Sequence, residues 1–383
     1  MLSYAGTLAL RGAMQFRKNA LFSIIACILI FSVIEIGLYA SGFQYSRFPK
    51  FAMHKAANWW SENGWANFEF VMHPIRMWAL KPGVSPTNIY GYQGRPVPVE
   101  NIPGFKKILF LGDSCTNTWV GNYPVKTVMK LKERHGVNMT PIIAGTPGYS
   151  TAQGVRWLPE FLAHKPDVLV VYFGWNDHWF ATSGIPDNEF APLTKIDITI
   201  KKFLSISKIY QLLHYLIYPP VEKLIHVFSE KSFEDNLMNY MQHTRVPPEY
   251  FIANVKRIID IAQSNNMEVY FIRAPYGKHL DEQADSDFNW LAGPVFRYEV
   301  STLHEAYNYM LEKTVATYHD VHLINFKDVE FDRTMMMEDG IHPLSKGYDL
   351  IAERLVSKMS ETSSLLIGNS NRVGSENNLI SQN

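Results

Sequence analysis

The run KKILFLGDS (residues 106–114) decides how the rest of the chain is read. Beyond its two lysines it is continuously apolar, as in a strand buried on both faces, and it stops at a glycine. Four comparable segments follow: NMTPIIAG (138–145), PDVLVVYFG (166–174), MEVYFIRAP (267–275) and VHLINF (321–326). Helix-like stretches separate them. One, EYFIANVKRIIDIAQSNN (249–266), carries apolar residues at helical spacing and closes on Asn-Asn before the next strand. Strands and helices alternating in this way predict an α/β fold with a five-stranded parallel sheet covered on both faces. In such a sheet chemistry collects at the carboxyl ends of the strands.

The residues just beyond those ends are Gly112-Asp113-Ser114, Gly145-Thr-Pro-Gly148-Tyr-Ser, Gly174-Trp175-Asn176-Asp177 and, after the fifth strand, Asp339-Gly340-Ile341-His342-Pro343. Taken singly, each is ordinary: a turn, a loop, an Asx-turn or cap, a surface pair. Together, in one order after parallel strands, they carry the parts of nucleophilic acyl transfer. A serine hydroxyl is a weak nucleophile and needs a base within hydrogen-bond reach. His342 can take the Ser114 proton, and Asp339, three residues earlier, can bond the other ring nitrogen and hold its tautomer. The developing oxyanion needs preorganised donors, and the Ser114 N–H, the Gly148 N–H and the Asn176 amide are of the right types. A glycine suits that position because a backbone donor must approach the substrate without a Cβ in the way.

This set resembles the GDSL-type, or SGNH, hydrolase superfamily. Its four hallmark residues, Ser, Gly, Asn and His, are matched by Ser114, Gly148, Asn176 and His342, and Asp339 completes its Asp-x-x-His. The resemblance covers about residues 106–182 and 245–357. It implies a flavodoxin-like three-layer α/β/α sandwich, and esterase or acyl-transfer chemistry with no metal and no cofactor. Two positions depart from the pattern. Cys115 stands where the name-giving motif has Leu, and Ile143-Ala144 lead into the second block where Asn is usual, so Gly145 stays open as an alternative donor. No Gly-x-Ser-x-Gly is present, which argues against the nucleophile elbow of the α/β-hydrolases.

Composition bounds the remaining options. The 383 residues are 47% hydrophobic and 19% charged, enough for a sizeable core. Lys plus Arg and Asp plus Glu both number 36, and no long basic run occurs, so nucleic acid is not an expected partner. The two cysteines, Cys27 and Cys115, exclude a disulfide framework and a cysteine-built zinc site. His319-Asp-Val-His322 has ligand-like spacing but reads as a surface turn, and no His-Glu-x-x-His occurs. Around the motif set, Asp177 is expected to cap the loop that aims Asn176, His178 to be either a neighbour of the site or solvated, and Cys115 to be a small packed residue.

Upstream, ALFSIIACILIFSVI (20–34), Glu35 and IGLYA (36–40) make one apolar helix of about 30 Å, a bilayer core. The reading adopted is an uncleaved single-pass transmembrane anchor within residues 1–41, with a cleaved signal peptide and a buried core helix as rivals. Arg11, Arg17 and Lys18 precede the span while Arg47 and Lys50 follow it. The short N-terminal tail favours a cytoplasmic N-terminus and a periplasmic or other extracytoplasmic catalytic domain; a cytoplasm-facing enzyme remains the alternative. Residues 42–104 read as a membrane-proximal connector packed on the domain, 105–359 as the hydrolase domain and 360–383 as a disordered tail. A helical insertion at about 187–244 is either a lid or interfacial helix pair, or a hairpin covering the sheet edge. The expected function is a membrane-anchored serine ester hydrolase acting on small-molecule, glycan or lipid esters of the envelope. An O-acyltransferase using the same triad and a non-catalytic envelope scaffold are the alternatives, and no protein partner is indicated.

Overall fold

A computed structural model describes residues 2–45, 70–116, 122–179, 181, 185–217, 237, 240–280 and 300–366. The chain divides into two units, one of Met1–Arg47 with Lys195–Pro219, the other of Phe48–Thr194 with Pro220–Asn383.

The larger unit is built on five parallel strands: β3 (Phe105–Gly112), β4 (Asn138–Gly145), β5 (Val168–Tyr172), β6 (Glu268–Ile272) and β7 (Val321–Ile324). Their order across the sheet is β4-β3-β5-β6-β7. The first strand of the sheet thus lies inside it, beside the second and third, as in the flavodoxin-like doubly wound arrangement. The register places Gly112 opposite both Gly145 and Tyr172, so three strands end level. All five expected strands are present, three of them shorter at the carboxyl end. After β5 the chain leaves the ladder through Gly174, whose φ of 129° is closed to most side chains.

Ile108 to Leu111 and Val168 to Val170 are fully buried, which is what a central strand covered on both faces requires. The covering helices are α2 (Tyr123–His135), α3 (Thr151–Phe161), α6 (Pro248–Gln263), α7 (Val300–Val315) and α8 (Ser345–Thr362). Helix α8 packs on α2, while α3 packs on α6 and α6 on α7. Local sequence sets their ends. Asn122 accepts the Val125 N–H at 3.3 Å, Pro124 sits in the first turn of α2, and Gly136 ends it with φ 65°. A side-chain cap of this kind contributes about 1 kcal/mol. Helix α8 continues through Ser360 to Thr362, and Leu366 beyond it is buried. The tail expected from Ser360 therefore does not start there, because Val356, Met359 and Leu366 give this end a buried face. Residues 367–383 lie outside the described residues.

Residues 70–104 of the expected connector belong to the same unit, while its residues 42–45 belong to the smaller one. Strands β1 (Phe70–His73) and β2 (Met77–Leu80) form an antiparallel hairpin in which Trp78 and Leu80 are buried. Gln93 bonds the edge strand through its N–H to the Ile143 carbonyl at 2.9 Å. Lys107 donates to the carbonyls of Pro98, Val99 and Glu100 at 2.8, 3.0 and 2.9 Å, which uses all three of its ammonium donors. Residues 46–69 of the connector and 218–236 of the insertion lie outside the described residues.

The smaller unit contains α1 (Leu2–Ala40), α4 (Lys195–Leu204) and α5 (Lys208–Ile217). Residues Met14–Ala40 of α1 form one helix long and apolar enough to cross a membrane. Helix α5 packs on α1. Glu35, the charge inside the apolar run, accepts the N–H groups of Lys208 and Ile209 at 2.6 and 2.8 Å and the Ser207 hydroxyl at 3.0 Å. It thereby satisfies orphan donors at the start of α5. The Tyr45 N–H to Gln211 Oε1 bond (3.0 Å) and an edge-on Phe43–Tyr215 contact add to the attachment.

Candidate active site

Ser114 owes its place to Gly112. A Cβ at Gly112 would run into the Thr116 side chain and the Tyr172 carbonyl, so the strand can turn here only with glycine. The chain then enters a short 3-10 turn, Ser114–Thr116. Asp113 closes that turn by accepting the Cys115 N–H at 2.8 Å.

The Asp339–His342 segment arrives from beyond β7. Asp339 Oδ1 accepts the N–H groups of Ile341 and His342 at 2.8 and 3.0 Å, an Asx-type turn that shapes the segment around its own carboxylate. The other oxygen, Oδ2, is 2.6 Å from His342 Nδ1, and His342 Nε2 is 2.9 Å from Ser114 Oγ. Ser114 and the Asp339–His342 pair, more than two hundred positions apart, form one hydrogen-bonded line. Burial pushes the Asp339 carboxyl up, but the His342 ring and the two N–H donors outweigh it and hold the pKa below the usual carboxylate value. Ser114 and His342 are only 7% exposed, so the line lies in a largely dry setting.

Gly148 takes φ 78°, the left-handed region that glycine enters without strain, and lies in the loop past the end of β4. Gly145, by contrast, is the last residue of β4 and is paired with Gly112. Asn176 follows β5 and donates from Nδ2 to Asp113 Oδ2 at 3.3 Å. Asp113 thus holds both the serine turn and the asparagine, a role that the reading of its Gly-Asp-Ser motif left unassigned. Burial raises its pKa to about 7, against the opposing pull of the Cys115 N–H and His342.

Asp177 reaches away from its own loop: its Oδ1 accepts both the N–H and the hydroxyl of Thr151, at the start of α3. Burial raises its pKa to about 6. His178 is fully buried, so of its two expected settings the solvated one does not hold. Its Nε2 is 3.1 Å from His304 Nδ1, while His304 Nε2 donates to the Ala274 carbonyl at 2.9 Å and its ring stacks on Trp175. Desolvation drives both imidazoles down, His304 to about 3, so they are neutral packing groups. Cys115 is buried with Sγ 3.7 Å from the Ile341 carbonyl, and burial pushes its thiol up, away from thiolate chemistry. His322 lies in β7 with its ring against Tyr270, and no group of three or more His, Cys, Asp or Glu placed to hold a metal occurs among the described residues.

Arg245 was not marked by the sequence. Nothing in Arg-Val-Pro-Pro announces a role, and its partners lie far away in the chain. The side chain is buried and paired with Asp187 at 2.7 Å.

The chain is similar to a lipase/acylhydrolase from Enterococcus faecalis, at 17% identity over 67% of this chain and 96% of that one, with a TM-score of 0.41. It is similar to a GDSL-like lipase from Bacteroides thetaiotaomicron at 13% identity, over 67% and 88%, with a TM-score of 0.39. An acetyl xylan esterase variant from Geobacillus stearothermophilus aligns at 12% identity, over 66% and 94%, with a TM-score of 0.40. Among curated proteins, none matches the chain. The model of the GDSL-like lipase/acylhydrolase family matches residues 110–350, well over half of the chain and the whole span from β3 into α8. On that match the chain belongs to the GDSL-like lipase/acylhydrolase family and is an ester hydrolase.

Proposed function

We propose that this hydrolase is a membrane-anchored serine esterase in which Ser114 is the nucleophile, His342 the base and acid, and Asp339 the group that orients the histidine. The observation that carries the reading is the continuous line from Ser114 Oγ to His342 Nε2 (2.9 Å) and from His342 Nδ1 to Asp339 (2.6 Å). In the first step Ser114 Oγ bonds to the ester carbonyl carbon as its proton passes to His342. The tetrahedral oxyanion collapses, the C–O bond to the alcohol breaks, and His342 returns the proton to the leaving alkoxide. Water, deprotonated by His342, then attacks the acyl-serine, releasing the acid and restoring Ser114. The Asp339 carboxylate stabilises the imidazolium in both halves without taking the proton itself.

The oxyanion is assigned to the N–H groups of Ser114 and Gly148 and to the Asn176 amide. One N–H of that amide is held by Asp113, which aims the other. Gly148 is preferred to Gly145 because it lies past the strand, with a left-handed backbone, whereas Gly145 is committed to the ladder. Each such donor is typically worth about 3 kcal/mol in the transition state.

Anchoring is assigned to α1, with the N-terminus cytoplasmic and the catalytic unit outside, where acylated glycans and lipids are the substrate class in reach. Helices α4 and α5 support the membrane reading. They expose Ile196, Ile200, Phe203, Leu213, Leu216 and Ile217 in the same unit as the span, as interfacial helices do.

The test uses the full chain in detergent, with p-nitrophenyl esters from acetate to octanoate and a fluorophosphonate probe, beside Ser114→Ala. Labelling and hydrolysis that are both lost in the variant are the expected result. Labelling of the wild type without hydrolysis would favour transfer to a second alcohol. Turnover retained by Ser114→Ala would overturn the mechanism.

A further inference from the structure

The loop that carries Gly148 is held by its carbonyl oxygens. Gly145 O accepts from Gln93 Nε2 at 2.6 Å, Pro147 O from Trp78 Nε1 at 3.3 Å and Gly148 O from Arg245 Nη1 at 2.8 Å. Thr146 O accepts the Tyr149 N–H at 3.2 Å. Two of these bonds bear directly on the donor. In a trans peptide the N–H points opposite to the C=O of the same planar unit. The Gly148 N–H shares its plane with Pro147 O, so the Trp78 indole, by binding that oxygen on one side, directs the N–H to the other. The next plane contains Gly148 O and is held by Arg245. With both planes fixed, φ and ψ of Gly148 are fixed, at the one residue of the loop whose backbone would otherwise be the freest.

The two clamping residues are themselves joined and braced. The Arg245 guanidinium lies over the Trp78 ring, with Cζ 5.4 Å from its centroid. Its Nε and Nη2 bond Asp187 Oδ2 at 3.1 and 2.7 Å, and Nη2 also bonds Gln153 Oε1 at 3.1 Å. Four of its five N–H groups are thus spent on the fold, which sets Arg245 up to hold a loop and not to bind an anionic substrate. Its backbone runs along the segment that follows Asn176: Arg245 N–H donates to Trp179 O, Val246 N–H to Asp177 O, and Asp187 N–H to Arg245 O. The loops of Gly148 and Asn176 therefore share one brace.

We propose that Trp78 and Arg245 are positioning residues for the oxyanion donor at Gly148, fixing the two peptide planes that flank its α-carbon. The inference rests on the esterase reading above. Trp78→Phe keeps one aromatic ring and removes the donor to Pro147 O with part of the buried indole; Arg245→Met keeps much of the side-chain volume and removes the donors to Gly148 O, Asp187 and Gln153. In the full chain in detergent, each is expected to lower kcat on p-nitrophenyl acetate by roughly 10-fold or more at nearly constant KM, and to slow fluorophosphonate labelling by a similar factor. Amide exchange in residues 145–150 should quicken while that of β3 and β5 stays unchanged. Unaltered kcat and labelling, a rise in KM alone, or faster exchange across the whole sheet would each overturn the proposal, the last by showing a merely structural role. If Arg245→Met does not fold, Arg245→Lys, which lacks the guanidinium fork that spreads donors over Asp187, Gln153 and Gly148 O, carries the same test. A wild type that is never labelled at Ser114 would sink the esterase reading instead, and the exchange data would still decide whether the two side chains hold the loop.

Discussion

At the scale of single residues, most of the proposed chemistry depends on carboxylates that do different work in different surroundings. Asp339 is buried but satisfied by two N–H groups and an imidazole, and stays ionised. Asp113 is fully buried with a poorer set of partners, and its pKa rises to about 7. An unfolded aspartate titrates near 4. Between those values the folded chain holds a proton that the unfolded chain has lost, so the residue's contribution to stability is full below about pH 4 and is lost as pH rises through about 7. Asp113→Asn removes that loss: the Tm of the variant should gain on wild type between pH 5 and 7.5, and parallel Tm curves would refute the assignment. The same ionisation serves catalysis, because the carboxylate accepts from Asn176 more strongly than the protonated acid does. Wild-type kcat should therefore climb through pH 7, and Asp113→Asn should be slower with a shallower climb. Asn176→Ala is expected to lower kcat roughly 100-fold with KM little changed; an equal effect on both would make Asn176 a substrate-binding group.

Elements matter here chiefly through how they end. The carboxyl ends of β3, β4 and β5 are level because Gly112 faces both Gly145 and Tyr172, and the packing at Gly112 has no room for a methyl group. Gly112→Ala should cost about 1–3 kcal/mol in stability and, by moving the turn that begins two residues later, nearly all activity. Urea unfolding and esterase assays on one preparation separate the two effects. In the smaller unit the end that matters is the start of α5, where Glu35 supplies the acceptors. Glu35→Ala should raise amide exchange at Lys208 and Ile209 and leave the middle of α1 protected; unchanged exchange would mean that the carboxylate is incidental. A charge that looks like a blemish in an apolar span is, in three dimensions, a helix cap.

For the molecule as a whole, the two units set different expectations. The larger one carries the complete Ser114–His342–Asp339 line, and the smaller one carries the apolar helix. An anchored enzyme should stay with the membrane fraction after alkaline carbonate extraction and keep its N-terminal residues, as read by intact mass. Release by carbonate, or a mature chain starting past residue 40, would replace the anchor with a signal sequence. The parallel sheet and the motif order were legible from five apolar runs and the residues after them. The boundaries were less so: the insertion expected as one block shares its Lys195–Pro219 portion with the N-terminal helix, because the capping that joins them spans more than 170 positions.

Local chemistry, written along the chain, determined the strands and their direction and singled out Ser114, Gly148 or Gly145, Asn176, Asp339 and His342 as the candidate site. Apolar runs can be buried only in certain ways, and an acyl-transfer site can be built from few side-chain types. What only the tertiary structure decided is which long-range partner each polar group finds. Asp113 on Asn176, Trp78 on Pro147, Arg245 on Gly148 and Glu35 on α5 are bonds between segments whose sequence carries no trace of one another. Buried polar atoms must be paired, but their partners are selected by the packing of the whole chain, and that selection exists only once the chain has folded.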